Sequence, residues 1–364
     1  MNLSFDFISR IRGDRQTVGI DIGHYSIKLV RVFHHHTGKI RVTAVDIEVL
    51  PENTIEDGEI KNMDNLREAL NKILARQIDD RDALDFVVGI NSASGVLIDK
   101  LTVKVAKSSN ESDIIIKTAE SRPPFDDKDN ILEFQVYDRK DGEVKVNLVA
   151  AKSVILDSWA ELYKDVDVQL TAIDVDVFAL ANVYMAFVEP ETKKDTVALF
   201  NIGEKYSSLV FLMDGGFHST RALTAVSVES VIAVLMRHLG LDSAQCHELF
   251  EKGESFQVEG FSEADIESVF HLAYEEILGA FEFGLRYFSN SESDEKPSKV
   301  LLSGGGASLP GLVDYIKERT GYETEYLNPF DKVPVDINVV NEGDLSKALS
   351  NIYAPALGYA MRKF

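Results

Sequence analysis

Residues 18–32 read VGIDIGHYSIKLVRV. Val18, Ile20 and Ile22 alternate with Gly19 and Asp21, Gly23 permits a turn, and Ile27 to Val32 is apolar again. The pattern predicts a tight β-hairpin whose first strand carries an acidic residue at its end. A lone aspartate beside glycine commonly bonds its own turn amides. What Asp21 does here depends on the rest of the chain.

The hairpin recurs. TVGIDIGHYSIKLVRV from Thr17 and TVALFNIGEKYSSLVFL from Thr196 line up with one added residue, which sets Asp21 against Asn201, Gly23 against Gly203 and Leu29 against Leu209. Each copy continues into a third strand, so both halves open with a meander whose first turn has the form [DN]-I-G. After the first meander the spacing predicts a helix near Met63 to Gln77, a strand over Asp85 to Ile90 and a helix near Val154 to Lys164. After the second it predicts helices near Val228 to Leu239 and Ser262 to Phe288, the latter with Val269, Leu272, Ala273, Ile277, Ala280, Phe281, Leu285 and Phe288 on one face. A strand KVLLSGG and a helix from Leu309 follow. Two α/β domains of one plan are expected.

A block from Asn91 to Ala151 has no counterpart in the second half. It reads strand, helix, the break RPPFDD and two strands. The domain plan is therefore an arm at 1–16, a first domain at 17–92 and 152–190, an inserted subdomain at 93–151, a second domain at 191–344, and a C-terminal helix at 345–364 returning to the first domain.

At 364 residues with 45% apolar content the chain can bury two cores. Its net charge of −22 repels a phosphate backbone, which argues against nucleic-acid binding and for basic partners. The single cysteine, Cys246, excludes an internal disulfide and points to a reducing compartment; with Trp159 it reads as packing. No apolar run nears the roughly 20 residues of a membrane span, and the N-terminus carries no secretory signal pattern, so a cytoplasmic protein is expected. Asn2 to Arg15 reads as a helical arm packed on its own domain. His34, His35 and His36 fall in a polar turn without an acidic residue nearby in sequence and are expected to be solvated.

LLSGGGASLPGLVDYI, residues 301–316, is a buried strand entering three glycines and then a helix through Pro310. Such glycines let backbone approach a ligand, and a helix N-terminus favours anions. Together with the two hairpins this predicts a nucleotide clamped between domains. The turn amides would cradle its phosphates, with Lys28 as a point charge and Asp21 holding Mg²⁺ through water.

These motifs resemble the actin-like ATPase superfamily. Within it, GIDIG…SIKLV, AESRPPF, AIDVDVFALANVY, LLSGGGASLPGL and APALGYAMR are similar to the PilM family of type IV pilus assembly. The resemblance implies an actin-like fold of two ribonuclease-H-like domains with an FtsA/PilM-type insert. It assigns Asp21, Gly23, His24, Tyr25, Ser26 and Lys28 to the first phosphate loop and Asn201, Gly203 and Glu204 to the second. It assigns Gly304, Gly305 and Gly306 to the adenosine loop, Glu248 to the ribose or base, and Asp174 to a water- or metal-orienting position, for which a plain capping role is the alternative. It implies ATP or ADP with Mg²⁺ as cofactor. As partner it implies the N-terminal peptide of a PilN-like inner-membrane protein, held between the first domain and the insert near Arg122, Pro123 and Phe125. Other pilus proteins, including motor ATPases, and self-association are further possibilities it raises, with membrane contact only through a partner.

Asn201 replaces the usual aspartate of the second loop, Glu204 adds a carboxylate beside phosphates, Val226 stands where glycine is common, and Phe250 stands where lysine is expected. Nucleotide binding with at most weak ATPase activity is expected, hence a scaffold. A polymerising FtsA-like ATPase is the alternative, and a sugar or acetate kinase a third reading that lacks a substrate motif.

Overall fold

The computed structural model describes all residues except 1–12, 57, 106–109, 188–194, 253–256, 292–295, 332, 337–349 and 363–364. The N-terminal arm expected at Asn2 to Arg15 thus lies almost wholly outside the described residues. β1 (Arg15–Ile22), β2 (Ser26–His34) and β3 (Ile40–Val49) form the first meander. A small hairpin of β4 (Ile55–Glu56) and β5 (Glu59–Ile60) leads into α1 (Met63–Gln77), whose Asn62 side chain caps the Asn65 N–H, and then into β6 (Asp85–Ile90). The insert comprises β7 (Val96–Lys104), α2 (Glu111–Ala119), β8 (Asn130–Lys140) and β9 (Glu143–Lys152), its antiparallel sheet ordered β7-β9-β8. α3 (Ser153–Asp165), β10 (Leu170–Val175) and α4 (Asp176–Phe187) return the chain to a five-stranded sheet ordered β10-β6-β1-β2-β3.

The second half repeats this plan. It comprises β11 (Val197–Ile202), β12 (Ser207–Met213), β13 (Gly216–Leu223), α5 (Val228–Leu239), α6 (Ser243–Lys252), α7 (Glu263–Ser291), β14 (Lys299–Ser303), α8 (Leu312–Thr320) and β15 (Glu323–Tyr326). Its sheet is ordered β13-β12-β11-β14-β15, again a meander extended by parallel strands. The hairpin repeat is physical as well as textual. Asp21 pairs with Lys28 where Asn201 pairs with Ser208, and the Gly23 N–H donates to the Ser26 carbonyl at 3.0 Å where Gly203 donates to Tyr206 at 3.1 Å.

The C-terminal helix α9 (Ala354–Ala360) is buried all round, as a helix apolar on every side must be. It lies directly on β1 and α4. A Cβ at Gly19 would come within 1.9 Å of the Ala356 carbonyl oxygen and 2.6 Å of the Ala360 nitrogen. Gly19 thus interrupts the apolar alternation of the opening stretch because helix backbone occupies the place of its side chain.

Three expectations change. In α7, Leu272 is 49% exposed, whereas Ile277, Phe281 and Phe288 are fully buried; at 100° per residue Leu272 falls to one side of the stripe that Ala273 belongs to. The helix expected from Leu309 begins at Leu312, after a 3₁₀ turn over Gly305–Ser308, which leaves Pro310 in the connection. The histidines do meet an acidic residue. Asp14, nearly buried at the entry to β1, accepts from the His36 N–H at 2.7 Å and lies 2.9 Å from His36 Nδ1.

Candidate functional site

The parallel strands of both sheets end on one cleft, the position where open α/β sheets collect ligands. β1 delivers Asp21, β11 delivers Asn201, β14 leads to Gly304, and Asn91 and Asp176 follow β6 and β10. Together with the two hairpin turns they enclose a cavity of about 310 Å³. Asp21, Gly23, His24, Tyr25, Ser26, Lys28, Asn201, Gly203, Glu204, Gly304 and Gly305 all line it.

Gly304 has φ +83°, and a Cβ there would meet the Ile202 carbonyl oxygen at 2.4 Å and Asn201 Oδ1 at 2.7 Å. Glycine therefore brings the loop after β14 onto the end of β11 and the second hairpin turn. Gly306 stands back from the cavity and packs on Ile202, where a Cβ would meet Cγ2 at 2.2 Å. Behind Glu204, the Val228 and Glu229 N–H groups of α5 donate to the Gly203 and Glu204 carbonyls at 2.9 and 3.0 Å, which fixes the second turn.

Charge in the cleft is mostly negative. Asp21, Asp176, Glu204 and Glu251 line it, while Lys28 is the one lysine or arginine among the described lining residues; its Nζ lies 3.4 Å from Asp21 Oδ2. Burial pushes the Glu204 carboxyl up to about 7, with Glu229 adding to the rise and Lys28 opposing it. Burial likewise raises Asp176 to about 6, against the amides of Ser92 and Val177 that donate to its Oδ1 at 2.9 and 2.8 Å. Aromatic rings bridge the domains. Tyr25 stacks on His247 with centroids 4.6 Å apart, and His24 meets Tyr206 edge-on at 5.3 Å.

Two expected residues lie elsewhere. Asp174 does not line the cleft; its Oδ2 accepts from Arg362 at 2.9 Å, and the side chain borders a different groove. Asp176, two residues on and first in α4, is the carboxylate that faces the cleft. Glu248 pairs with Lys252 on the outside of α6, while His247, Phe250 and Glu251, spaced i, i+3, i+4, turn inward.

The different groove, about 1350 Å³, lies between the insert sheet, the first domain and the β12–β13 turn of the second. Ile131, Glu133, Gln135 and Tyr137 of β8 and Asn147 and Val149 of β9 form one wall, with Phe178, Ala181 and Met185 of α4 opposite. β8 is an edge strand, so its outer backbone groups face away from the sheet. Asn147 is 3% exposed, and its Oδ1 has no hydrogen-bond partner among the described residues. The RPPF segment is not part of this wall. Phe125 is 2% exposed inside the insert core with Ile115 and Leu148, and Arg122 pairs with Asp99 at 3.4 Å; the segment ends a helix and closes a core.

This architecture defines the chain as a protein of the actin-like ATPase fold. The family described as type IV pilus assembly protein PilM matches residues 19–364, and the chain belongs to that family. It superposes on a structure of a PilM-PilN type IV pilus biogenesis complex with a TM-score of 0.80 at 22% identity, covering 95% of this chain and 98% of that one. Ethanolamine utilization protein EutJ from Carboxydothermus hydrogenoformans matches with a TM-score of 0.55 at 12% identity over 95% and 89% of the two chains. MreB5 of Spiroplasma citri bound to ADP matches with 0.50 at 10% identity over 94% of each. Among the described residues no helix is long and apolar enough to cross a membrane.

Proposed function

We propose that this chain is the cytoplasmic actin-like scaffold of type IV pilus assembly that holds the N-terminal peptide of a PilN-like inner-membrane protein. The peptide lies in the groove between insert and first domain, and through it the scaffold sits at the membrane. The observation that carries this reading is Asn147. A buried amide oxygen left without a donor costs roughly 1–3 kcal/mol, and rotation of the Asn147 side chain toward the groove it lines lets a peptide N–H remove that cost. The β8 edge supplies backbone pairing, and Val149, Phe178 and Met185 supply apolar contact for an aliphatic side chain. The solved PilM-PilN complex supports the choice of partner.

The cleft takes ATP or ADP with Mg²⁺. Gly304 and Gly305 offer close backbone approach, the turns carry amides for phosphates, and Asp21, Asp176 and Asn201 offer the hard oxygen atoms that Mg²⁺ prefers. Turnover is slow because the second loop brings an uncharged amide, Asn201, where an anionic group would hold the metal or orient water.

Fluorescence anisotropy of a labelled partner N-terminal peptide against the purified full chain tests the groove. Val149→Asp should weaken binding by at least about tenfold, since a carboxylate enters an apolar wall, whereas Arg122→Ala should leave it unchanged. Equal binding by both variants overturns the reading.

A further inference from the structure

At the end of the first sheet remote from the cleft, the residue leading into β1 meets the β2–β3 turn. Asp14 is the buried anchor, with 8% side-chain exposure against 45% for His36. The His35 and His36 rings lie with centroids 4.0 Å apart at 38°, and ligand-type atoms from Asp14, His35 and His36 all fall within 4.8 Å of one another. His34 takes no part, because its Nε2 faces the Ala360 carbonyl at 2.8 Å.

We infer that Asp14, His35 and His36 form a binding site for a divalent transition-metal ion of the zinc class, clipping the entry of β1 to the β2–β3 turn. Two imidazoles and one carboxylate form a donor set suited to zinc and its neighbours rather than to magnesium or calcium. Asp14 Oδ1 and His36 Nδ1, at 2.9 Å, already stand near the roughly 3.4 Å edge of a tetrahedron with bonds of about 2.1 Å. Metal replaces the proton these two atoms share. His35, half-buried beside His36, completes the set by a side-chain adjustment within the turn. Its Nδ1 lies 2.7 Å from Thr37 Oγ1 and accepts from the Thr37 N–H at 3.3 Å, contacts that fix the orientation of the ring beside His36. Three protein ligands leave a coordination position for water or for a fourth donor.

Visible absorption on Co²⁺ titration of the chelator-treated full chain, with Mg²⁺ in excess to occupy carboxylate-only sites, tests the assignment, followed by Zn²⁺ competition. One Co²⁺ per chain is expected, displaced by Zn²⁺, with a rise in melting temperature on binding. Thr37→Val should weaken it by about 10–100-fold, and Asp14→Asn and His36→Ala by more than that. His36→Ala also removes the contact to the buried Asp14 carboxylate, so ligand loss is read as the difference between its melting temperatures with and without Co²⁺. Absence of bound Co²⁺, or unchanged affinity in both ligand variants, overturns the inference.

Discussion

Burial of the Asp176 carboxyl makes the cleft sensitive to pH. Its folded-state value of about 6 stands above the ordinary 3.8, so the folded protein disfavours the ionised form. The sign follows. No penalty exists below 3.8, and it grows as pH rises through about 6, reaching on the order of 3 kcal/mol at neutral pH. Asp176→Asn keeps the acceptor for the Ser92 and Val177 amides while removing the charge. It should therefore be more stable than the parent at neutral pH by urea denaturation, with the gap closing as pH falls through about 6 toward 3.8. A gap that stays constant with pH would refute this account. Asp21 is legible as an acidic residue ending an apolar strand, and Gly203 and Gly304 because backbone stands where their side chains would be, the Tyr206 and Ile202 carbonyl oxygens lying 2.5 and 2.4 Å from an added Cβ. Asp176 is not. AIDVDVF offers two aspartates, and only the rotation of the chain as β10 gives way to α4 decides which of them faces the cleft.

Strands and helices were legible where periodicity was strong and one face was buried. α1, β6 and α5 start and stop where their patterns do, helped by the Asn62 cap and by the Ser227 and Ser230 capping box. The contact of α9 with β1 is invisible in sequence, since nothing local ties Gly19 to Ala356. It is open to test. Because the obstructing atoms at Gly19 are helix backbone, Gly19→Ala should destabilise the chain by at least about 2 kcal/mol, the scale of overpacking in a dense core, read as a lower urea midpoint. An unchanged midpoint would mean that α9 lies elsewhere. Leu272 shows the reverse limit, an apolar residue near a stripe but outside it. RPPF shows a third. The break after the helix was readable, but Phe125, expected beside the partner peptide, closes the insert core instead, which depends on how the insert packs on itself.

At the scale of the whole molecule the two domains face each other across carboxylates, so a polyphosphate enters against like charge unless a cation comes with it. Calorimetric titration with ATP or ADP should give affinity at least about tenfold weaker without Mg²⁺, a difference of about 1.4 kcal/mol. Asp21→Ala should reduce that Mg²⁺ dependence. Equal affinity with and without the cation would remove the metal from the cleft. The duplicated plan was legible because the same hairpin is written twice; the relation between the lobes was not, as it rests on rings such as Tyr25 and His247 that meet only after folding.

The position of α9 also sets an order of assembly during synthesis. One face of the second sheet packs a core of residues between Ala198 and Ile316, whereas the core that holds the first domain, and the other face of the second sheet with it, is completed by Tyr353, Ala356 and Ala360. A ribosome translating this chain thus exposes the first meander long before the helix that covers it. The first domain cannot complete its core until the C-terminus has been made, so the usual expectation that an N-terminal domain finishes folding first does not hold for it.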